Sequence, residues 1–209
     1  MKKIVTLICS LIISAFLFSE TITVKGLGGV QKTINVDENI SELVLSKTVH
    51  EITQIDGIEK LTKLRKLKIQ FSDLTNITSD FWKSIDNVEI LEIGFGTIED
   101  LSFLELLPNL ISFSLNETIK VKKDCNLNLK NNKKIEYIEL HGINDMAYPL
   151  VISPPKSLKT IDIRGSSFNS ENKDAFCLSL SKTNILLMIN NKQYEDLSKN
   201  KYFSNIKTK

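Results

Sequence analysis

Residues 58–69 read Ile58-Glu59-Lys60-Leu61-Thr62-Lys63-Leu64-Arg65-Lys66-Leu67-Lys68-Ile69, and a similar spacing of apolar residues returns in Leu101-Ser102-Phe103-Leu104-Glu105-Leu106-Leu107-Pro108-Asn109-Leu110. The first block ends in a motif that recurs along the chain: an apolar residue, two spacers, a second, one spacer and a third. The last two positions of each copy are Leu43/Leu45, Leu67/Ile69, Leu91/Ile93, Phe113/Leu115, Ile138/Leu140, Ile161/Ile163 and Leu187/Ile189. Successive copies are 24, 24, 22, 25, 23 and 26 residues apart. A β-strand sends alternate side chains to opposite faces, so each pair points one way and the residue between them the other. One such unit cannot bury its apolar face alone, whereas a stack can, and self-similarity at this period marks a solenoid.

Between the strands, Ile55, Ile58, Leu61 and Leu64 recur at threes, as do Leu101, Leu104, Leu107 and Leu110. That period suits tight 3₁₀ turns better than an α-helix. Residues 79–85, with Ser79 or Asp80 as cap, and 170–181, with Ala175, Phe176, Leu178 and Leu180 as apolar face, read as short helices. Tyr194, Leu197, Tyr202 and Phe203 predict a closing helix. Ahead of the first copy, Ile22/Val24 and Ile34/Val36 alternate on either side of Gly26-Leu27-Gly28-Gly29, which predicts a hairpin over the open end of the stack. The glycines lack the spacing of a phosphate loop and no helical pattern follows them.

Met1-Lys2-Lys3 and the apolar run 4–18 have the form of a secretory leader, with cleavage near Ala15 or Ser19. Cys9 sits inside the apolar run, which argues against lipidation. Without the leader the chain carries 25 basic and 25 acidic residues. That near-neutral balance, with only Arg65 and Arg164 as arginines, excludes a binder held by nucleic-acid phosphates. No later segment approaches the apolar length of a membrane span. Cys125 and Cys177 follow the fourth and sixth motifs; two strand steps separate equivalent points by roughly 10 Å, beyond disulfide reach, so two buried or free thiols are expected. No zinc framework or calcium loop appears, and His50 and His141 belong to different repeats, so no metal or other cofactor is expected.

The two quoted blocks resemble bacterial leucine-rich repeats, particularly the internalin-like kind, and the likeness extends over roughly residues 40–190. The resemblance implies an α/β fold: a right-handed leucine-rich repeat solenoid with a curved parallel β-sheet on the concave face and 3₁₀ or short helices on the convex face. It also implies a cell-surface or secreted role, often in contact with host proteins. In such repeats a buried asparagine ladder satisfies backbone groups three residues after the strand's last aliphatic. Here those places hold Thr48, Ser72, Gly96, Thr118, Ile143, Ser166 and Lys192. Hydroxyls do part of an amide's work, while Ile143 and Lys192 do none of it.

In this register the outward column between the paired apolar residues runs Val44, Lys68, Glu92, Ser114, Glu139, Asp162 and Met188, and the next runs Ser46, Gln70, Gly94, Asn116, His141, Arg164 and Asn190. Charge changes from Arg65, Lys66 and Lys68 toward Glu92, Glu139 and Asp162, a gradient able to orient a partner. Mixed charge is equally the ordinary state of a solvated face. Phe71 and Phe95 share one position of successive repeats and are expected side by side, as binding anchors or tucked over the rim; Tyr137 and Ile90 would extend that apolar strip. Ser114, Glu139, His141 and Asp162 fall close enough for hydroxyl, imidazole and carboxylate to meet. An open face does not exclude water, however, and no nucleophile motif is present.

These readings predict a leader at 1–19, a hairpin-like cap at 20–39, about seven repeats over 40–192, and a C-terminal cap and tail at 193–209. The expected function is that of an exported, non-catalytic protein that recognises a protein partner, of host or envelope, through its concave face. The alternative is an envelope-associated structural or glycan-binding protein. The expected contact residues are Lys68, Gln70, Phe71, Glu92, Phe95, Asn116, Tyr137, Glu139, His141, Asp162 and Arg164.

Overall fold

A computed structural model of the chain describes residues 19–46, 49 and 51–209. Residues 1–18 of the expected leader, Thr48 and His50 lie outside the described residues, as does the Thr118 side chain. In chain order the strands are β1 (Ser19–Gly26), β2 (Gln31–Asp37), β3 (Glu42–Ser46), β4 (Ile52–Asp56), β5 (Lys66–Gln70), β6 (Ile90–Ile98), β7 (Ser112–Val121), β8 (Leu127–Asn128), β9 (Tyr137–Leu140), β10 (Asn144–Met146), β11 (Val151–Ile152), β12 (Thr160–Asp162), β13 (Ser167–Phe168), β14 (Leu186–Met188) and β15 (Lys207–Thr208). The helices are α1 (Ser79–Ser84), α2 (Lys173–Ser181) and α3 (Asn191–Leu197).

Eight strands form one open sheet in the order β3-β5-β6-β7-β9-β12-β14-β15. Every neighbouring pair in it is parallel. Leu43, Leu67, Leu91, Phe113, Ile138, Ile161 and Leu187 stand side by side across seven of the strands, which is the register the repeat period predicts. All seven are buried, none more than 6% exposed. Fully burying one such side chain is worth about 1.5–3 kcal/mol, so the column, not the single rung, holds the sheet. The sheet is mostly parallel with few helices, consistent with a leucine-rich-repeat-like α/β solenoid. An eighth strand, β15, comes from the expected tail and pairs with β14.

The residues spaced at threes form the predicted 3₁₀ turns, Ile58–Lys60 and Ser102–Leu106, and their aliphatics are buried. Helix α1 is capped from Thr78, without a side-chain bond, rather than from Ser79 or Asp80. On α2 the buried residues are Phe176, Cys177 and Leu180, while Ala175 is exposed. Both Cys125 and Cys177 are free and buried. Helix α3 opens with a capping box in which Asn190 and Gln193 exchange side-chain and backbone bonds.

The turn carbonyls are satisfied from places the repeat consensus does not indicate. Asn132, fully buried, donates to the Leu104 and Leu107 carbonyls at 2.8 Å each. Asn87 donates to those of Leu61, Thr62 and Leu64 at 3.2, 3.3 and 3.0 Å. Both lie ahead of a strand of the parallel sheet, Asn87 before β6 and Asn132 before β9. At the far end Gln193, one residue past Lys192, donates to Ile163 and Ser166. Ser166 serves Ile143: its hydroxyl donates to the Leu140 carbonyl at 2.7 Å and accepts from the Ile143 N–H at 3.0 Å. Gly96 needs no side chain, because a Cβ there would sit 2.2 Å from the Ser72 carbonyl oxygen.

Strands β1 and β2 pair antiparallel from Ser19↔Asp37 to Lys25↔Gln31, around a turn in which Gly28 and Gly29 take positive φ of 73° and 81°. Ile22 and Val24 join the core. The other edge of β1 pairs antiparallel with β4, so the hairpin attaches through a three-stranded sheet and not to β3.

Candidate binding face

On the outward side of the sheet, Val44, Lys68, Glu92, Ser114, Glu139, Asp162 and Met188 align strand by strand in the predicted column. Ser46, Gln70, Gly94 and Asn116 align in the next. The expected charge gradient is closed by pairing within the face. Lys66 reaches Glu42 at 3.1 Å and Glu92 at 3.2 Å, and Lys68 reaches Glu92 at 3.3 Å. Burial pushes the Glu92 carboxyl up, but the two ammonium groups outweigh it and hold the group below the usual glutamate range. Arg65 turns to Glu89 at 3.5 Å.

Phe71 and Phe95 stack with centroids 4.5 Å apart and planes within 7°. Each follows the sheet-facing stretch of its strand and holds a left-handed backbone, φ 56° and 50°. That conformation costs a non-glycine residue about 1–2 kcal/mol. The two residues are 37% and 38% exposed. Tyr137 and Ile90 do not extend this stack. They belong to the column Lys66, Ile90, Ser112, Tyr137 and Thr160 at the opposite ends of the strands. Five residues of strand, roughly 16 Å, separate the two places.

Further along the sheet, β9 and β12 bring a polar cluster together. Ser114 donates its hydroxyl to Glu139 Oε2 at 2.6 Å. His141, just past β9, places Nδ1 3.3 Å from Glu139 Oε1 and Nε2 3.6 Å from Asp162 Oδ1. The backbone N–H of Arg164 donates to Asp162 Oδ1 at 3.1 Å, and its guanidinium bonds both carboxylate oxygens, with Nη2 2.7 Å from Oδ2. Tyr137 adds its hydroxyl to Oδ2 at 3.5 Å. Asp162 is therefore fully buried under its neighbours, not exposed as an outward contact residue. Burial raises its carboxyl, but Arg164 and then His141 outweigh that and hold it below the ordinary aspartate range. Burial, with Glu139 and Asp162 beside it, pushes the Tyr137 phenol up to about 12.

Ser114 bonds the Glu139 carboxylate and not the His141 imidazole, so no serine–histidine pair forms in the cluster. One donor atom each from Glu139, His141 and Asp162 lies within 4.8 Å of the others. The expectation of no metal rests on the two histidines, the missing zinc framework and the missing calcium loop, and does not weigh this grouping. Alternation places residues 139, 141, 162 and 164 on one side of the sheet. The sequence signal was thus present, and what it did not reveal is that these side chains cover one another.

Among solved structures the chain is similar to an internalin, InlF, of Listeria monocytogenes, at 13% identity with a TM-score of 0.33; the match covers 78% of this chain and 60% of that one. The chain thus spans under two thirds of that protein's length. No protein-family model and no curated protein matches it. Among the described residues no helix is long and apolar enough to cross a membrane.

Proposed function

We propose that the chain is an exported, non-catalytic repeat protein that recognises a protein partner through the outward face of its parallel sheet. In this reading the strands coil right-handed, as crossovers between parallel strands do in nearly all sheets, with the sheet on the concave side and the 3₁₀ turns and helices on the convex side. The β1–β2 hairpin and the segment from 193 on cap the stack, and residues 1–19 are the leader.

One observation carries the reading: the Phe71–Phe95 stack. Two aromatic rings stand partly exposed at backbone positions that favour glycine or asparagine, on strands fixed by a buried core. Exposed aromatics held rigidly are the usual anchors of protein recognition, and the backbone cost of placing them argues against packing convenience. Gln70 and Asn116, on the same face, supply polar contacts around them.

Asparagine tolerates the left-handed region, so a Phe71→Asn, Phe95→Asn double variant removes the rings without straining the turn. Capture of partners from host and bacterial extracts, identified by mass spectrometry, is expected to lose its main specific species with this variant. An unchanged capture profile, with the variant folded, would refute recognition through this edge. Retention of envelope polysaccharide and of no protein would select the glycan-binding alternative.

A further inference from the structure

We propose that Glu139, His141 and Asp162 bind a divalent transition-metal ion of the zinc type. The donor set is one imidazole and two carboxylates, the mixture that zinc and its neighbours accept and that magnesium and calcium, which prefer oxygen alone, do not. A tetrahedral ion with bonds of about 2.1 Å holds its donors about 3.4 Å apart. Nδ1 stands 3.3 Å from Glu139 Oε1 and the other ring nitrogen, Nε2, 3.6 Å from Asp162 Oδ1, so each carboxylate faces a different nitrogen. Because a single ring nitrogen takes the ion, the three donors, now within 4.8 Å of one another, close by up to about 1.4 Å on binding.

A second observation concerns the ring itself. The Nε2 atom of His141 is buried and has no partner within hydrogen-bond distance, Asp162 Oδ1 standing at 3.6 Å, while the side chain as a whole is 30% exposed. Buried polar atoms are ordinarily satisfied, and this one faces a buried carboxylate whose other partners are already in place. The surroundings are those of a supported site. Ser114 holds Glu139 by Oε2 and leaves Oε1 toward the ring. Tyr137 and Arg164 orient Asp162. Gly165 lies against the imidazole so closely that a Cβ would stand 2.6 Å from its Cγ. Partners behind the ligands fix their direction and raise affinity.

Charge favours the ion as well. With a neutral imidazole, Glu139, Asp162 and Arg164 sum to one negative charge. Arg164 is the opposing element, since its guanidinium takes lone pairs of Asp162 that the ion needs. The competing occupant is a proton, which would turn His141 into an imidazolium donating to both carboxylates. A bound ion would tie β9 to β12 and leave a coordination position for water.

The test is titration of the untagged full chain with Co²⁺, followed by its d–d absorption, and with Zn²⁺ by calorimetry. The expected result is saturation at one ion per chain, with affinity falling roughly tenfold or more in His141→Ala and in Glu139→Gln. Gly165→Ala, which displaces the ring and removes no donor, is expected to weaken binding too, while Cys125→Ser and Cys177→Ser leave it unchanged. Should His141→Ala fail to fold, the Glu139 and Gly165 variants decide. The proposal is overturned by absence of a saturable cobalt spectrum between about pH 6 and 8. Binding that the Glu139 and Gly165 variants leave intact, or that only the cysteine variants abolish, overturns it equally.

Discussion

Replacing Ser166 with alanine tests whether hydroxyls do the work of the missing asparagine ladder. Ser166 is 5% exposed and its oxygen is used twice, donating to the Leu140 carbonyl at 2.7 Å and accepting from the Ile143 N–H at 3.0 Å. Alanine loses one net hydrogen bond, about 0.5–1.5 kcal/mol, and strands a buried N–H, about 1–3 kcal/mol, with almost no cavity to add. A loss of about 2–3 kcal/mol is expected, which in a domain of this size lowers the melting temperature by about 4–12 °C. Ser72 occupies the equivalent place, but its hydroxyl donates only to the Gln70 carbonyl, at 3.2 Å. Ser72→Ala should therefore cost about 0.5–1.5 kcal/mol. Thermal melts of both variants and hydrogen exchange at the Ile143 amide read the difference. Equal destabilisation by the two, or an Ile143 amide as protected in Ser166→Ala as in the parent, would refute the reasoning.

Three further outcomes are expected. Gly96→Ala, whose Cβ meets the Ser72 carbonyl oxygen at 2.2 Å, should destabilise by about 1–3 kcal/mol, while Gly94→Ala, 3.2 Å from the Asn116 oxygen, should cost less than about 1 kcal/mol; comparable urea midpoints would contradict the close approach. Glu92 is held below its ordinary range in the folded state, so its contribution is full above the unfolded value of about 4.3 and is lost as pH falls through the folded value. Glu92→Gln should accordingly flatten the decline of the urea midpoint between about pH 6 and 3, and an unchanged slope would count against the Lys66–Glu92–Lys68 arrangement. Burial pushes the Cys125 thiol up to about 12 and the Cys177 thiol up to about 11, so neither should alkylate at about pH 8 in the folded chain and both should on unfolding. Mass spectrometry of labelled native protein checks it, and rapid native labelling would show the core more open than described.

The inward columns were legible because burial is non-directional and the strand period is two: a slip of one residue at Leu67 would turn every apolar pair outward, so the spacing alone settled the register. Hydrogen bonding is directional but indifferent to where in the sequence a donor originates. The amides that serve the turns accordingly come from Asn87 and Asn132, ahead of their strands, and from Gln193 beside the predicted Lys192. Strand β15 pairs through only two residues, too few to carry a period. The outward face was placed correctly by alternation and misjudged in its chemistry, because Lys66 bridges Glu42 and Glu92 while Arg164 folds onto Asp162 two residues before it. That pairing changes which substitutions report on recognition. Removing Lys68, Glu92 or Glu139 breaks bonds within the sheet face and perturbs stability before any partner is present. The Phe71–Phe95 rings meet face to face and sit where asparagine fits the backbone, so replacing them with asparagine adds no backbone strain, and a thermal melt of the double variant reads what the lost stack costs the fold.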